Sequence, residues 1–305
     1  MLDAVRSALA VRIRAVAAGL ARAGAATIAG ALVLTVPAAA PVAAATAGAN
    51  AERAAPAARP DDGRASSIPT VVTLCFEDID IPPWRYRDGT GHNAAVLDAV
   101  GAELGLRFRY VAMPWRRCLS QLAQGRVDGA FALSLTAERA AISAFPPGQP
   151  PDPSARLFTD GYVLIRRPGS RITVRDGRIV GLSGPVATQA GYSIANDLRR
   201  VGVRVDDGSG EPVSALRKVA ERRAEAAALG ISKARHLQAS GHPVMAALEV
   251  VPEPLVRKDY HLVLSRAFSG RHPALARAIW GAIGRQRERV PVPADVARTA
   301  PGSGD

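Results

Sequence analysis

The sequence predicts an α/β protein of two lobes, each a mostly parallel sheet flanked by helices. Three observations lead there. Short apolar runs alternate with segments of helical period along most of the chain. A proline-rich break, FPPGQPPDP at 145–153, interrupts the alternation, and the pattern then restarts. The stretches on either side are of similar size and share no repeat, which reads as two lobes with a cleft between them, a usual place for a ligand.

The elements follow in order. TVVTLCF (70–76) is a buried-strand run. Asn93 is placed to cap a helix that presents Val96, Leu97, Val100 and Leu104 and ends at Gly105. RFRYVA (107–112) is a second strand. Pro114 opens a helix showing Trp115, Cys118, Leu119 and Leu122, stopped at Gly125. VDGAFAL (127–133) is a third strand, and Thr136 caps a short helix. This β-α-β-α-β-α run implies parallel strands with helices on both faces.

Beyond the break, GYVLIR (161–166) and RIVGL (178–182) read as strands. Ser193 precedes a helix carrying Ile194, Leu198 and Val201, ended by Gly202. VRVD (203–206) is a strand, and Val213, Leu216, Val219 and Ala220 mark another helix. ALEVV (247–251) and DYHLVLS (259–265) are strands. Leu275, Ala278, Ile279, Ala282 and Ile283 form the apolar stripe of a final helix.

The N-terminus has the layout of a secretory signal peptide. Arg6, Arg12, Arg14 and Arg22 lead an uncharged stretch, Ala23 to Val36, and AAAPVAAAT supplies small residues at Ala43 and Ala45. Residues 1–45 are therefore expected to be removed, which places the mature protein in the periplasm. An uncleaved membrane anchor is the alternative, for which the uncharged run is short of the roughly 20 residues of a spanning helix. No Cys follows the run to carry a lipid. Residues 46–67 are rich in Ala, Pro, Arg, Asp and Gly without apolar period, a disordered linker. Residues 291–305 read as a flexible tail.

The 305 residues carry a formal charge of +12 and a pI near 10.8, which invites a nucleic-acid reading. Residues 1–45 account for +3 of this, four Arg against one Asp, leaving +9 on the remainder. The other Arg residues are scattered, so no nucleic-acid partner is expected. The charge reads as a solvated surface that favours anionic solutes. Cys75 and Cys118 are too few for zinc, and no metal or other cofactor is expected. In an oxidising compartment they permit one disulfide; two separately buried thiols are the alternative.

No catalytic constellation stands out. The chain lacks G-x-S-x-G, a P-loop and H-E-x-x-H, and its five His residues are dispersed. The informative stretch is 71–147, with FEDIDIPPWRYRDGTGHN, MPWRRCLSQLAQGRVDGAFALSLTAER and AFPP. It resembles the family 3 extracellular solute-binding proteins, periplasmic receptors of the polar amino acid type. Leu122, Gly125, Asp128, Ser134, Thr136 and Arg139 carry the "L..G..D" and "S.T..R" pattern, and Pro114 to Leu119 resemble a P-W-x-R-C-L subgroup.

The resemblance implies a type II periplasmic-binding-protein-like fold. Residues 68–160 and 255–290 would form lobe 1 and 161–254 lobe 2, joined by hinge strands near 158–163 and 251–258. It implies a receptor, not an enzyme, expected to be monomeric, that closes on a small polar, carboxylate-bearing solute and delivers it to an ABC-type permease in the inner membrane. A sensor subunit without a permease, or a dehydratase-like enzyme on the same fold, are the alternatives; Glu77 and Asp78 are the obvious acid/base candidates for the latter.

The resemblance also assigns ligand contacts. Arg139 would hold the solute carboxylate through its planar donor fork. Ser134 would reach the same group, while Ala132 stands where a second hydroxyl is common. Trp84 and Trp115 would be walls, and Asp78 would face the amine side. Gln189, Gly191, Tyr192 and Ser193 resemble a Q-x-G-x-[ST] turn whose backbone N–H groups would meet the carboxylate from lobe 2. In RRAEAAALG (222–230) the acidic residue that usually takes an amine would fall near Gly230, where this chain has none.

Overall fold

The computed structural model describes residues 69–292, all within one compact unit, Asp61–Asp305. The leader at 1–45, the linker at 46–67 and the tail beyond 292 lie outside the described residues.

The first half begins with β1 (Val71–Glu77), α1 (His92–Leu104), β2 (Arg107–Met113), α2 (Trp115–Ala123) and β3 (Gly129–Ser134). β1 pairs in parallel with both β2 and β3, as the alternation predicts. α3 (Ala137–Ile142) and the two-residue β4 (Ser143–Ala144) follow. β5 (Arg156–Arg166) leads into the second half, which contains the hairpin β6 (Thr173–Arg175) and β7 (Arg178–Val180), then β8 (Val186–Gln189), α4 (Ser193–Arg200), β9 (Val205–Ser209), α5 (Pro212–Ala220), β10 (Ala226–Gly230), α6 (Ile231–Ala239) and β11 (Glu249–Val250). β12 (Val256–Ser265) returns to the first half, where α7 (Arg266–Arg271) and α8 (Pro273–Arg289) close the chain.

The main sheet runs β2-β1-β3-β12-β5-β10-β8-β9. β5 and β12 lie antiparallel at its centre and join the halves, with Val256 opposite Tyr162 and Asp259 opposite Thr159. Their close approach requires Gly161, where a Cβ would stand 2.1 Å from the Val256 carbonyl oxygen. The second predicted hinge, 251–258, is irregular through Leu255 and becomes strand only at Val256.

Each half has its own core. In the first, Leu74 of β1, Val96, Leu97 and Val100 of α1, and Ile279 and Ile283 of α8 pack together. On the opposite face Cys75, Cys118, Leu122 and Val263 form a second cluster. In the second half β5 alternates between two clusters, Val163 and Ile165 to one and Tyr162 and Leu164 to the other, so the strand is covered on both faces. Cys75 and Cys118 form a disulfide, Cα–Cα 5.7 Å, tying β1 to α2.

Several sequence expectations are corrected. Gly91, not Asn93, precedes α1; Asn93 lies fully buried in the first turn. Val201 is 75% exposed beyond the end of α4 instead of packing under it. The run at 178–182 contributes only β7 of a separate two-stranded hairpin, and 247–251 only β11. β8, β10 and α6 were not predicted. β8 (VATQ) has no apolar run, and β10 (AAALG) is an alanine-rich run that favours helix by composition; both are strands because the sheet buries them on both faces.

Candidate functional site

The strand ends and helix starts of both halves converge on one cavity beside β5 and β12. From the first half, β1 delivers Glu77, the last residue of the strand. Arg85 pairs with it at 2.6 Å and also donates to the backbone oxygens of Glu77 and Ile79; both side chains are buried. Taking two charges out of water is tolerated here because they neutralise each other.

β3 bulges as it reaches the cavity. Phe131 and Ala132 together stand against Leu262 of β12, two residues against one. Ala132 adopts the left-handed conformation, φ 66°, and both residues line the cavity although neighbours on a regular strand face opposite ways. Past the strand, Thr136 caps α3 by accepting from the Arg139 N–H at 3.2 Å. That fixes Arg139 in the first turn. Its Nη1 donates to the Ser134 carbonyl and hydroxyl, each at 3.0 Å, and its guanidinium lies 5.5 Å from the Trp115 ring centroid. Arg139 is 7% exposed, and no carboxylate is ion-paired with it among the described residues.

The second half meets these groups directly. The Gly191 carbonyl accepts from Trp115 Nε1 at 3.1 Å and from Arg139 Nη2 at 3.2 Å. Gly191 has φ 77°, and a Cβ there would sit 3.2 Å from the Trp115 ring, so glycine suits both the turn and the contact. The Ser134 and Ser193 hydroxyls are 3.1 Å apart, and Lys258 Nζ donates to Ser193 at 2.9 Å while pairing with Asp197. The Tyr192 hydroxyl donates to Glu77 Oε2 at 2.6 Å. Farther out, Trp84 Nε1 donates to the Ser232 hydroxyl at 2.8 Å and Lys233 Nζ to the Asp80 carbonyl at 2.9 Å.

These contacts enclose about 50 Å³, with Arg139, Asp160, Tyr162 and Tyr260 among the walls. One water needs roughly 10–15 Å³ by the same measure, so the space suits a few waters and a larger solute requires the halves to separate first. A wider surface groove of about 860 Å³ is lined by Ser134, Leu135, Asp197, Val201 and Lys258, with the His261 imidazole its one aromatic ring. Burial pushes the hydroxyls of Tyr162, Tyr192 and Tyr260 above the usual phenol value and lowers Lys233 and Lys258. It also raises Asp160 to about 6.

Of the residues singled out in the sequence, Glu77, Trp115, Ala132, Arg139, Gln189 and Tyr192 line the cavity. Ser134 and Ser193 form the contact between halves at its edge. Trp84 does not reach it: the indole stacks on Phe158, centroids 4.5 Å apart, and Phe158 forms the wall. Asp78 also lies outside, half exposed and 3.9 Å from Arg87; β1 ends one residue earlier and puts Glu77 inward instead. At the turn before α4 the Gly191 carbonyl faces Arg139. Sequence reading missed Asp160, Tyr162 and Tyr260. The visible signal was a lone carboxylate inside the otherwise apolar strand LFTDGYVLI.

Residues 75–161 match the model of the bacterial extracellular solute-binding proteins, family 3. The fold agrees. Holo ArgBP from T. maritima superposes with TM-score 0.56 at 19% identity, covering 75% of this chain and 95% of that one. The GluR0 ligand-binding core from Nostoc punctiforme, in complex with L-glutamate, gives 0.52 at 19%, covering 74% and 100%. A histidine kinase sensor domain with similarity to periplasmic binding proteins gives 0.57 at 17%, covering 72% and 92%. A comparison with curated protein sequences gave no match. The chain has the type II periplasmic-binding-protein-like fold, and the matched family and these neighbours are solute-binding proteins and ligand-binding or sensor domains.

Proposed function

We propose that the protein is an exported, monomeric receptor that closes its two halves over a small polar, carboxylate-bearing solute of amino acid type and hands it to an ABC-type permease. The observation that carries this reading is Arg139: a buried guanidinium on the wall of a cavity shared by both halves, bound to carbonyl and hydroxyl oxygens and to no carboxylate. Its bond to the Gly191 carbonyl crosses between the halves. When they part, that donor is released, and a solute carboxylate can take it in bidentate fashion. Solute and lobe contact then share one fork, so binding and closure are coupled.

Isothermal titration of an amino acid that binds the wild type tests the assignment. Arg139→Ala is expected to fold and to lose roughly 2–5 kcal/mol of binding, the range for truncating one partner of a buried charge pair. Arg139→Lys is expected to lose affinity as well, because an ammonium has no planar fork. Unchanged affinity in Arg139→Ala would remove the carboxylate anchor. A sensor without a permease is the second reading, favoured by the likeness to the kinase sensor domain; reconstitution of solute uptake with the protein and its genomically adjacent membrane components separates the two.

A further inference from the structure

The hairpin of β6 and β7 is a sheet of its own, apart from the main sheet, and takes no part in the cavity. Its turn is Asp176–Gly177, with φ 50° and 69°. Both lie in the left-handed region, as a tight two-residue hairpin turn requires. The register sets Thr173 opposite Val180, Val174 opposite Ile179 and Arg175 opposite Arg178. Side chains alternate along a strand, so the hairpin has two faces. Val174 and Ile179 pack with Ile172 into a core cluster of the second half, which fixes one face. Thr173, Arg175, Arg178 and Val180 make up the other. Both arginines are exposed on it, and Val180 is 43% exposed.

The outer face carries a charge repulsion that the protein does not relieve. Like charges directly opposite each other on paired strands, with Cβ atoms about 5 Å apart, destabilise the pair. Other arginines of this half are ion-paired: Arg166 with Glu249, Arg199 with Asp207, and Arg223 with Glu221. Arg175, Arg178 and Arg171, which is exposed just before the hairpin, are in no ion pair among the described residues. Two carboxylates stand at the turn, Asp176 and Glu253. The Glu253 Oε1 accepts from the Gly177 N–H at 3.4 Å, and neither carboxylate pairs with the two guanidinium groups. An acidic residue at 175 or 178 would turn the repulsion into attraction. The chain keeps two cations there, and an anion outside the protein is what relieves them.

We propose that the β6–β7 hairpin is a docking arm for the anionic surface of a phospholipid bilayer, with Arg175 and Arg178 on headgroup phosphates and Val180 against the apolar layer beneath them. The proposal stands apart from the receptor reading and uses none of the cavity residues.

Three arguments favour a bilayer over an acidic protein. The face is made by four side chains, whereas a stable protein interface takes roughly 20–30 residues a side. A guanidinium offers a planar fork that matches phosphate oxygens bidentately, and a bilayer surface repeats phosphates at a spacing that can serve two adjacent forks. An exposed Val beside the two cations adds a shallow apolar contact, which a headgroup layer accepts. The hairpin also outweighs the other scattered arginines of the chain. Screening limits attraction to charges within about 8–10 Å of the surface, so cations held side by side on one face act together while those on other faces do not.

The experiment is co-sedimentation with vesicles of phosphatidylcholine containing phosphatidylglycerol, and with vesicles of phosphatidylcholine alone. Residues 1–45, whose apolar stretch would itself enter a bilayer, are left out; the compact unit begins after them. The wild type is expected to bind the anionic vesicles at about 0.1 M salt, to leave them at about 1 M, and to ignore the neutral ones. Replacing both arginines, Arg175→Ala with Arg178→Ala, is expected to lower the partition coefficient on the order of 25-fold, about fivefold for each arginine. A control of equal charge removes two exposed arginines of the other half, Arg126→Ala with Arg277→Ala, and is expected to bind as the wild type does. Circular dichroism confirms that each variant folds. Arg178→Glu sets opposite charges across the hairpin and so strengthens it; it is the second variant, and it is expected to lose at least as much as the removal of one arginine. A loss as large in the control as in the hairpin variant would mean adsorption by net charge and would overturn the assignment, as would equal binding to neutral vesicles or none to either. A wild type that ignores both vesicles and is retained on immobilised polyglutamate would give the hairpin to an acidic protein instead. Solute titration of the hairpin variants is expected to match the wild type, so the loss of docking and the failure of the receptor reading are separate results.

Discussion

At the scale of single residues, the cavity contrasts two ways of burying a carboxylate. Glu77 is held by Arg85 and by the Tyr192 hydroxyl, so its charge is compensated inside the protein. Asp160 is not, and its carboxyl is pushed from an ordinary 3.8 to about 6, first by desolvation. The sign of the consequence is fixed by linkage. Between about pH 4 and pH 6 the folded protein holds a proton on Asp160 that the unfolded chain has released, so stability falls as pH rises through that window. The shift of about 2 pKa units corresponds to about 3 kcal/mol lost by the solute-free protein above pH 6. Asp160→Asn is therefore expected to be the more stable protein near pH 7 in urea denaturation, with the difference vanishing towards pH 4. A variant no more stable than wild type at pH 7 would show that the carboxylate is compensated in solution. The two residues also mark how far the sequence could be read. A strand's alternation, shifted by one, decides whether Glu77 or Asp78 faces inward, and only the observed end of β1 settles it. Asp160 stood out in the sequence solely as a charge in an apolar run, and nothing local says that the backbone N–H of Ser232, on α6, would stand against it.

At the scale of elements, legibility follows the source of each element's stability. The first three strands and their helices are visible because apolar period, proline at a helix start and glycine at a helix end agree, and the structure has them within a residue or two. β10 was invisible because AAALG, preceded by RRAE, favours helix by propensity; burial between β5 and β8 makes it a strand. Elements of that kind depend on their neighbours being in place. The disulfide does such placing for α2, whose first residue, Trp115, is a cavity wall. It spans 43 residues, and closing a loop of that length in the unfolded chain accounts for about 4 kcal/mol in the entropic description, with 2–4 kcal/mol commonly observed. Replacing both cysteines, Cys75→Ser with Cys118→Ser, is expected to lower unfolding free energy by about 2–4 kcal/mol in urea titration. Solute affinity is expected to fall too, because Trp115 loses its tether to β1. A double variant as stable as wild type would show that α2 is held by packing alone.

At the scale of the whole molecule, the question is what balances separation of the halves against closure. Few bonds cross the cavity, and most come from residues assigned here to the solute: Arg139 and Trp115 to Gly191, Ser134 to Ser193, and Tyr192 to Glu77. The Tyr192 bond is made to a carboxylate, and a hydrogen bond to a charged group contributes about 1.5–3 kcal/mol. Its hydroxyl is buried and well above the usual phenol range, first through desolvation, so it remains a donor across the physiological pH range. Tyr192→Phe removes that bond and keeps the ring packed near Tyr162. Since only a few kcal/mol separate such states, the variant is expected to shift the solute-free population towards separated halves. Small-angle scattering would register this as a larger radius of gyration than wild type. Saturating solute should return the variant to the wild-type value, because contacts of the solute with Arg139 and with the opposite half replace the lost bond. A radius of gyration unchanged by the substitution and by solute would mean that the halves are held together by the β5–β12 pairing and the outer contacts of Trp84 and Lys233, and that the cavity does not open by this route.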